Sequence, residues 1–113
     1  MSGLANIFNV PSTAEELAVW ATAHMTHHRD INRRIYELTG VSLPEFVLDP
    51  FDPADTGVWE SQHQIMHTNM DLILNIDGFD LSEVDFTDPE TLPGWITLNA
   101  NEHYIASNVL GIG

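Results

Sequence analysis

The chain has 113 residues, 17 of them acidic and three basic, for a net charge of −14. That balance argues against direct binding of nucleic acid or of an anionic membrane, because both depend on clustered Lys and Arg. The absence of cysteine removes disulfides, thiolate metal sites and cysteine nucleophiles, while an apolar fraction of 43% is normal for a folded protein and predicts one domain over residues 1–113.

Met1–Val10 lacks the basic start and long apolar run of a secretory leader, and no stretch has the length of a membrane span. A first helix is predicted from Ser12 or Thr13, where Ser-Thr-Ala-Glu-Glu supplies a cap and early acids, to about Thr39, with Gly40 as its left-handed stop. Its apolar stripe is Leu17, Ala21, His24, His28, Ile31, Ile35 and Leu38. A connector, Val41–Asp55, follows, rich in Pro and Asp; its Phe46, Val47 and Phe51, like Phe79 in the next connector, are expected to lie on the helices. The second helix is predicted from about Thr56 to Ile76, ending near Gly78, with the stripe Trp59, His63, Met66, Met70, Ile73. After the connector Phe79–Asp88, a third helix is predicted from about Pro89 to Leu110, on the stripe Trp95, Leu98, Glu102, Ile105, Ala106, Val109.

These segments repeat. Trp20, Trp59 and Trp95 are spaced 39 and 36 apart; four residues after each comes His24, His63 or Asn99, and four further on His28, His67 or His103. Ile35-Tyr-Glu-Leu-Thr-Gly40 parallels Ile73-Leu-Asn-Ile-Asp-Gly78, and a Leu-x-Glu step and an Asp-Pro pair follow in both copies. The expected fold is all-α: a small bundle of three main helices built from an imperfect helix–loop unit of about 38 residues, with long Pro/Asp-rich connectors.

The repeat puts histidines near the middle of each helix, so packed helices would bring them to one level. His24, His28 and His63 fall in the stripes, His67 and His103 on their flanks, and Glu102 at the centre of the third stripe. His27 is off-stripe and expected to be solvated. Two arrangements fit. His24, His28, His63, His67, Glu102 and His103 could hold a divalent metal such as zinc, iron or manganese, since imidazoles at i and i+4 point the same way. Alternatively they form a buried hydrogen-bonded layer, each imidazole donating to Glu102, Asn99 or a carbonyl. The hydrogen-bonded layer, with no cofactor, is the primary expectation, because copying one helix reproduces such a layer without any metal. The metal layout resembles hemerythrin-like and DinB-like bundles, although their ligand order is not matched. Buried neutral histidines would have pKa values below the usual ~6.5.

Other candidates are weaker. Asp49, Asp52 and Asp55 lack the order and glycine of a calcium loop and read as solvated turns. Arg29, Arg33 and Arg34 read as salt-bridge partners within the fold, and Met25, Met66 and Met70 as core filler. No spacing of Ser, His and Asp suggests a nucleophile with its base.

The segments His27-His28-Arg29-Asp30-Ile31-Asn32-Arg33-Arg34, Asp49-Pro50-Phe51-Asp52-Pro53, Gln62-His63-Gln64-x-Met66-His67 and Glu102-His103 resemble small proteins from the structural-gene modules of tailed bacteriophages. The resemblance implies a virion component (a tail, connector or decoration subunit) made in the host cytoplasm, without catalytic residues. Its partners would be other virion proteins or copies of itself. The alternative expectation is a metal-binding bundle, an oxidoreductase or a metal-dependent hydrolase.

Overall fold

In a computed structural model, residues 4–45, 56–81 and 83–112 are described, and all regular structure among them is helical. The elements are α1 (Leu4–Ile7), α2 (Ala14–Thr39), α3 (Thr56–Leu74) and α4 (Leu92–Leu110). Phe46, Val47, Phe51 and the three acids Asp49, Asp52 and Asp55 lie outside the described residues. No helix among the described residues is long and apolar enough to cross a membrane.

Local chemistry explains the helix ends. Thr13 caps α2: its hydroxyl accepts from the Glu16 amide at 3.1 Å, while the Glu16 carboxylate accepts from the Ser12 amide at 2.7 Å. Gly40 ends α2 in the left-handed region at φ 77°. The expected stop of the second helix at Gly78 is corrected. Asn75, at φ 53°, takes the left-handed position three residues earlier, and the Ile76 amide closes onto the Asp71 carbonyl at 3.1 Å. Asn tolerates this conformation better than any neighbouring residue here. The third helix starts at Leu92 instead of Pro89, because Asp85 and Asp88 use their side chains to hold turns at Thr87 and Glu90.

The helices run parallel. Trp20, Trp59 and Trp95, near the N-terminal ends of α2, α3 and α4, meet with ring centroids 6.3, 5.8 and 5.8 Å apart. Ile7, Leu81, Leu92 and Ile96 join this cluster, and the Trp20 and Trp95 indoles donate to the carbonyls of Ile7 and Leu81. The C-terminal halves meet separately through Ile31 and Ile35 of α2, Met70 of α3, and Ala106 and Leu110 of α4. Parallel neighbours explain the long connectors, since the chain must travel back the length of a 19-residue helix, about 28 Å, before starting the next. Segment 75–91 makes this return: Ile76 packs at the C-terminal cluster, and Leu81, Val84 and Phe86 at the tryptophans.

The stripe expected for the third helix is also corrected. Leu98, Ile105 and Val109 are exposed, whereas Ile96, Asn99, Ala100, His103 and Ser107 join Trp95, Glu102 and Ala106 inside. Hydropathy misplaces the stripe because the interior accepts polar residues at this level. Arg34, expected as a salt-bridge partner, instead donates from Nε to the Leu110 carbonyl at 3.2 Å and so supports the C-terminus of α4, while Arg33 pairs with Asp30 at 3.3 Å.

Replacing Ile35, which is fully buried in the C-terminal cluster, by Ala is expected to cost about 2–5 kcal/mol, and Thr13→Ala about 1 kcal/mol. Urea unfolding of each variant checks both values.

Candidate metal centre

Between the tryptophan cluster and the aliphatic cluster lies a polar layer containing all six histidines of the chain, each no more than 1% exposed. The repeat places five of them, with Asn99, in two triads. The first is His24, His63 and Asn99; the second, one helical turn further on, is His28, His67 and His103. In the first, the His24 Nε2 lies 3.2 Å from Asn99 Oδ1 and 3.1 Å from His63 Nε2. In the second, the His28 ring meets those of His67 and His103 edge-on, at 4.8 and 4.3 Å. Trp20 stacks on His24 and Trp59 on His63, both at 4.6 Å and within 12° of parallel, so the first triad is held by the indoles one turn earlier.

One potential ligand atom from each of His24, His28, His63, His67 and His103 lies within 4.8 Å of all the others. The expected ligand set is therefore brought together, except that Glu102 stands behind His67, with its Oε1 3.3 Å from His67 Nδ1. His67 and His103, expected on the flanks, are fully buried, as is Asn99. His27 overturns its expectation. It is 0% exposed, and its Nδ1 lies 2.6 Å from the Nδ1 of His103. The missed signal was a second stripe on α2, Trp20-His24-His27-Ile31, spaced as regularly as the one through His28.

The tautomers follow from the hydrogen bonds. Ser107 donates its hydroxyl proton to the His103 carbonyl at 2.8 Å, so its oxygen accepts from His27 Nε2–H at 2.9 Å. A neutral His27 is then bare at Nδ1 and accepts from His103 Nδ1–H, which leaves His103 Nε2 with a lone pair. Glu102 Oε1, 3.3 Å from His67 Nδ1 though not hydrogen-bonded to it, favours the proton of His67 on Nδ1 electrostatically, which bares His67 Nε2. These two bare nitrogens lie 3.2 Å apart. A neutral ring nitrogen brings either one proton or one lone pair, so His24 Nε2 can bond fully to only one of its two neighbours. Hydrogen bonds within the chain leave His24 Nδ1, His28 Nε2, His63 Nδ1 and Asn99 Nδ2 without partners, a costly state for buried polar atoms.

Burial holds all six imidazoles below their ordinary value, with mutual repulsion adding to the effect at His24, His28, His63 and His103; His67 falls from 6.5 to about 4. All are neutral at pH 7, the form that binds metal. Beyond Glu102, Asp71 is pushed up to about 8, by burial first and then by Glu102. Burial also raises Glu102, but the bonds from Asp71 and the Phe79 amide pull it back. Of the pair, Asp71 is the one pushed above neutrality, and it keeps its proton at pH 7. Gly78 permits this packing, since a Cβ there would collide with the Asp71 carboxylate.

No protein-family model, curated protein or solved structure matches this chain.

The shifts give a bell-shaped stability profile for the metal-free protein. Histidines with depressed values contribute fully above about 6.5, and the contribution is lost as pH falls toward 4, because the unfolded chain takes up protons that the fold refuses. Asp71 acts oppositely, contributing below 3.8 and losing that contribution as pH rises through about 8. Maximum stability is expected near pH 6.5–7, with lower melting temperatures on both sides in scanning calorimetry.

Proposed function

We propose that this protein is a metal-binding helical bundle, in which His24, His28, His63, His67 and His103 hold one divalent first-row transition ion. The observation that carries this reading is the 3.2 Å approach of His67 Nε2 to His103 Nε2, two nitrogens that the tautomer assignment above leaves without a proton. Two lone pairs facing each other in a dry interior repel, and a cation between them turns that repulsion into two bonds. Metal–imidazole bonds of about 2.0–2.1 Å place neighbouring ligand nitrogens about 2.8–3.0 Å apart at octahedral angles and about 3.3–3.4 Å apart at tetrahedral ones, and the His24–His63 and His67–His103 separations of 3.1 and 3.2 Å lie between these limits. Two stacked triads, with Asn99 Oδ1 completing the first, offer six donors. Such a set suits an octahedral ion such as iron(II) or nickel(II) better than tetrahedral zinc. The ligands are sealed from solvent, so the metal serves to hold the bundle together and turns over no substrate.

Protein purified without chelator is expected to contain about one metal ion per chain by elemental analysis. Cobalt(II) added to the metal-free form should give the weak visible bands of six-coordination. At a hundredfold excess over Kd, metal adds about 2.7 kcal/mol, raising the melting temperature by roughly 10 °C. His103→Ala should abolish most of that rise. A metal-free protein whose melting is indifferent to added ions or to chelator overturns the reading.

A second reading, a subunit of a tailed-phage particle, is supported by the outer face of α4. Glu102 is the one charged residue of this helix and it is buried, while Leu98, Tyr104, Ile105 and Val109 are 36–53% exposed. In a chain of net charge −14, an uncharged apolar face is where protein contacts meet least repulsion. Sedimentation should show oligomers that Val109→Asp dissociates. A wild type that remains monomeric at high concentration removes this support.

A further inference from the structure

The histidine layer is closed at one end by three indoles and at the other by Ile31, Ile35, Met70 and Leu110. A hydrated divalent cation cannot cross either plug, because nothing there replaces the water it sheds. One lateral side is different. Between the C-terminal half of α3 and segment 76–80 lies a cleft of about 550 Å³, lined by Gln64, Thr68, Asp71, Asn75, Gly78 and Phe79. Asp71 is bonded to Glu102 behind it, and Glu102 Oε1 lies 3.3 Å from His67 Nδ1. Asp71 thus joins the cleft, through Glu102, to the nearest histidine of the centre.

We propose that Asp71 and Glu102 form a loading site, which takes a divalent transition-metal cation from the cleft and delivers it to the imidazole layer at His67. The inference rests on the metal-binding reading above. Two features beyond the acidic pair point to a ligand there. Glu102 is fully buried, yet its Oε1 has no hydrogen-bond partner, and neither has the equally buried His67 Nδ1 beside it. Gly78 leaves the line of oxygens open, since a Cβ would strike Asp71 and come within 3.4 Å of Glu102 Oε1. Carboxylate oxygens can replace shed waters one at a time, so the ion is never bare along this line.

Stopped-flow uptake of cobalt(II) by the full-length metal-free protein tests the proposal. Asp71→Asn, nearly isosteric but with one carboxylate oxygen replaced by an amide nitrogen that cannot ligate a cation, is expected to load about tenfold more slowly or worse, with stoichiometry, final spectrum and equilibrium affinity kept. Glu83→Gln makes the same carboxylate-to-amide change at an exposed position elsewhere and should load at the wild-type rate. Gly78→Ala should slow loading as Asp71→Asn does. Wild-type loading by Asp71→Asn overturns the loading site, as does equal slowing by Glu83→Gln, which would mean general attraction by net charge. A loss of affinity matching the loss of rate overturns it too, making Asp71 part of the final site. Wild-type protein that binds no cobalt at all overturns the metal-binding reading itself, a result seen before any variant is compared.

Discussion

The hydroxyl of Ser107, on the turn after His103, has one proton and gives it to the carbonyl of that histidine. From this bond the polarity of the interior follows in order: Ser107 can only accept from His27, His27 can only accept from His103, and His103 must present a lone pair to the middle of the bundle. Glu102 Oε1, 3.3 Å from His67 Nδ1, favours the same orientation there. Ser107 and Glu102, both on α4, thus favour the same tautomer at two neighbouring rings. A layer stabilised by hydrogen bonds alone would orient one ring as donor and the other as acceptor. Here both rings turn a lone pair inward, and the metal-binding proposal draws on that orientation.

The rest of the molecule keeps this layer dry and placed. Indoles stacked on His24 and His63 fix both rings, and the same indoles form the plug that excludes water at the N-terminal end. Dryness keeps the imidazoles neutral, since a second proton would bring an unpaired charge into a low-dielectric interior. Neutrality in turn keeps the lone pairs free. The price of this arrangement is a set of orphaned polar atoms that an all-apolar core would lack. Asp71, holding a proton well above the usual carboxylate range, is the outermost member of the set and the one that lines a cleft.

Much of this was readable from the residues, because the repeat encodes it. The spacing of Trp20, Trp59 and Trp95 fixed where the indoles would meet, and the fours that follow placed the histidines one and two turns below them. The caps at Thr13 and Gly40 were legible for the same reason: their chemistry is local. What was not legible depended on neighbours. His27 reads as solvated on a lone amphipathic helix, but α2 is covered by α4 on that flank, and a wider face is buried than one stripe allows. The third helix was rotated for a related reason. Its inward line carries Asn99, His103 and Ser107, and hydropathy ranks those below Leu98, Ile105 and Val109. Parallel packing was equally hidden, since mid-helix histidines align whichever way the helices run. Asp71 carries no motif, and its role depends on segment 76–80 folding back across it.

Parallel packing of copied units has a wider consequence. Three identical helix–loop chains standing around a common axis would present six equivalent imidazoles, two from each. Joining the copies end to end frees each position from that identity. Asn99 stands where strict symmetry would put a histidine, and Ser107 and Glu102 support two rings in two different ways. Covalent linkage thus lets a centre of symmetric design acquire inequivalent sides, one of them turned toward an acidic cleft.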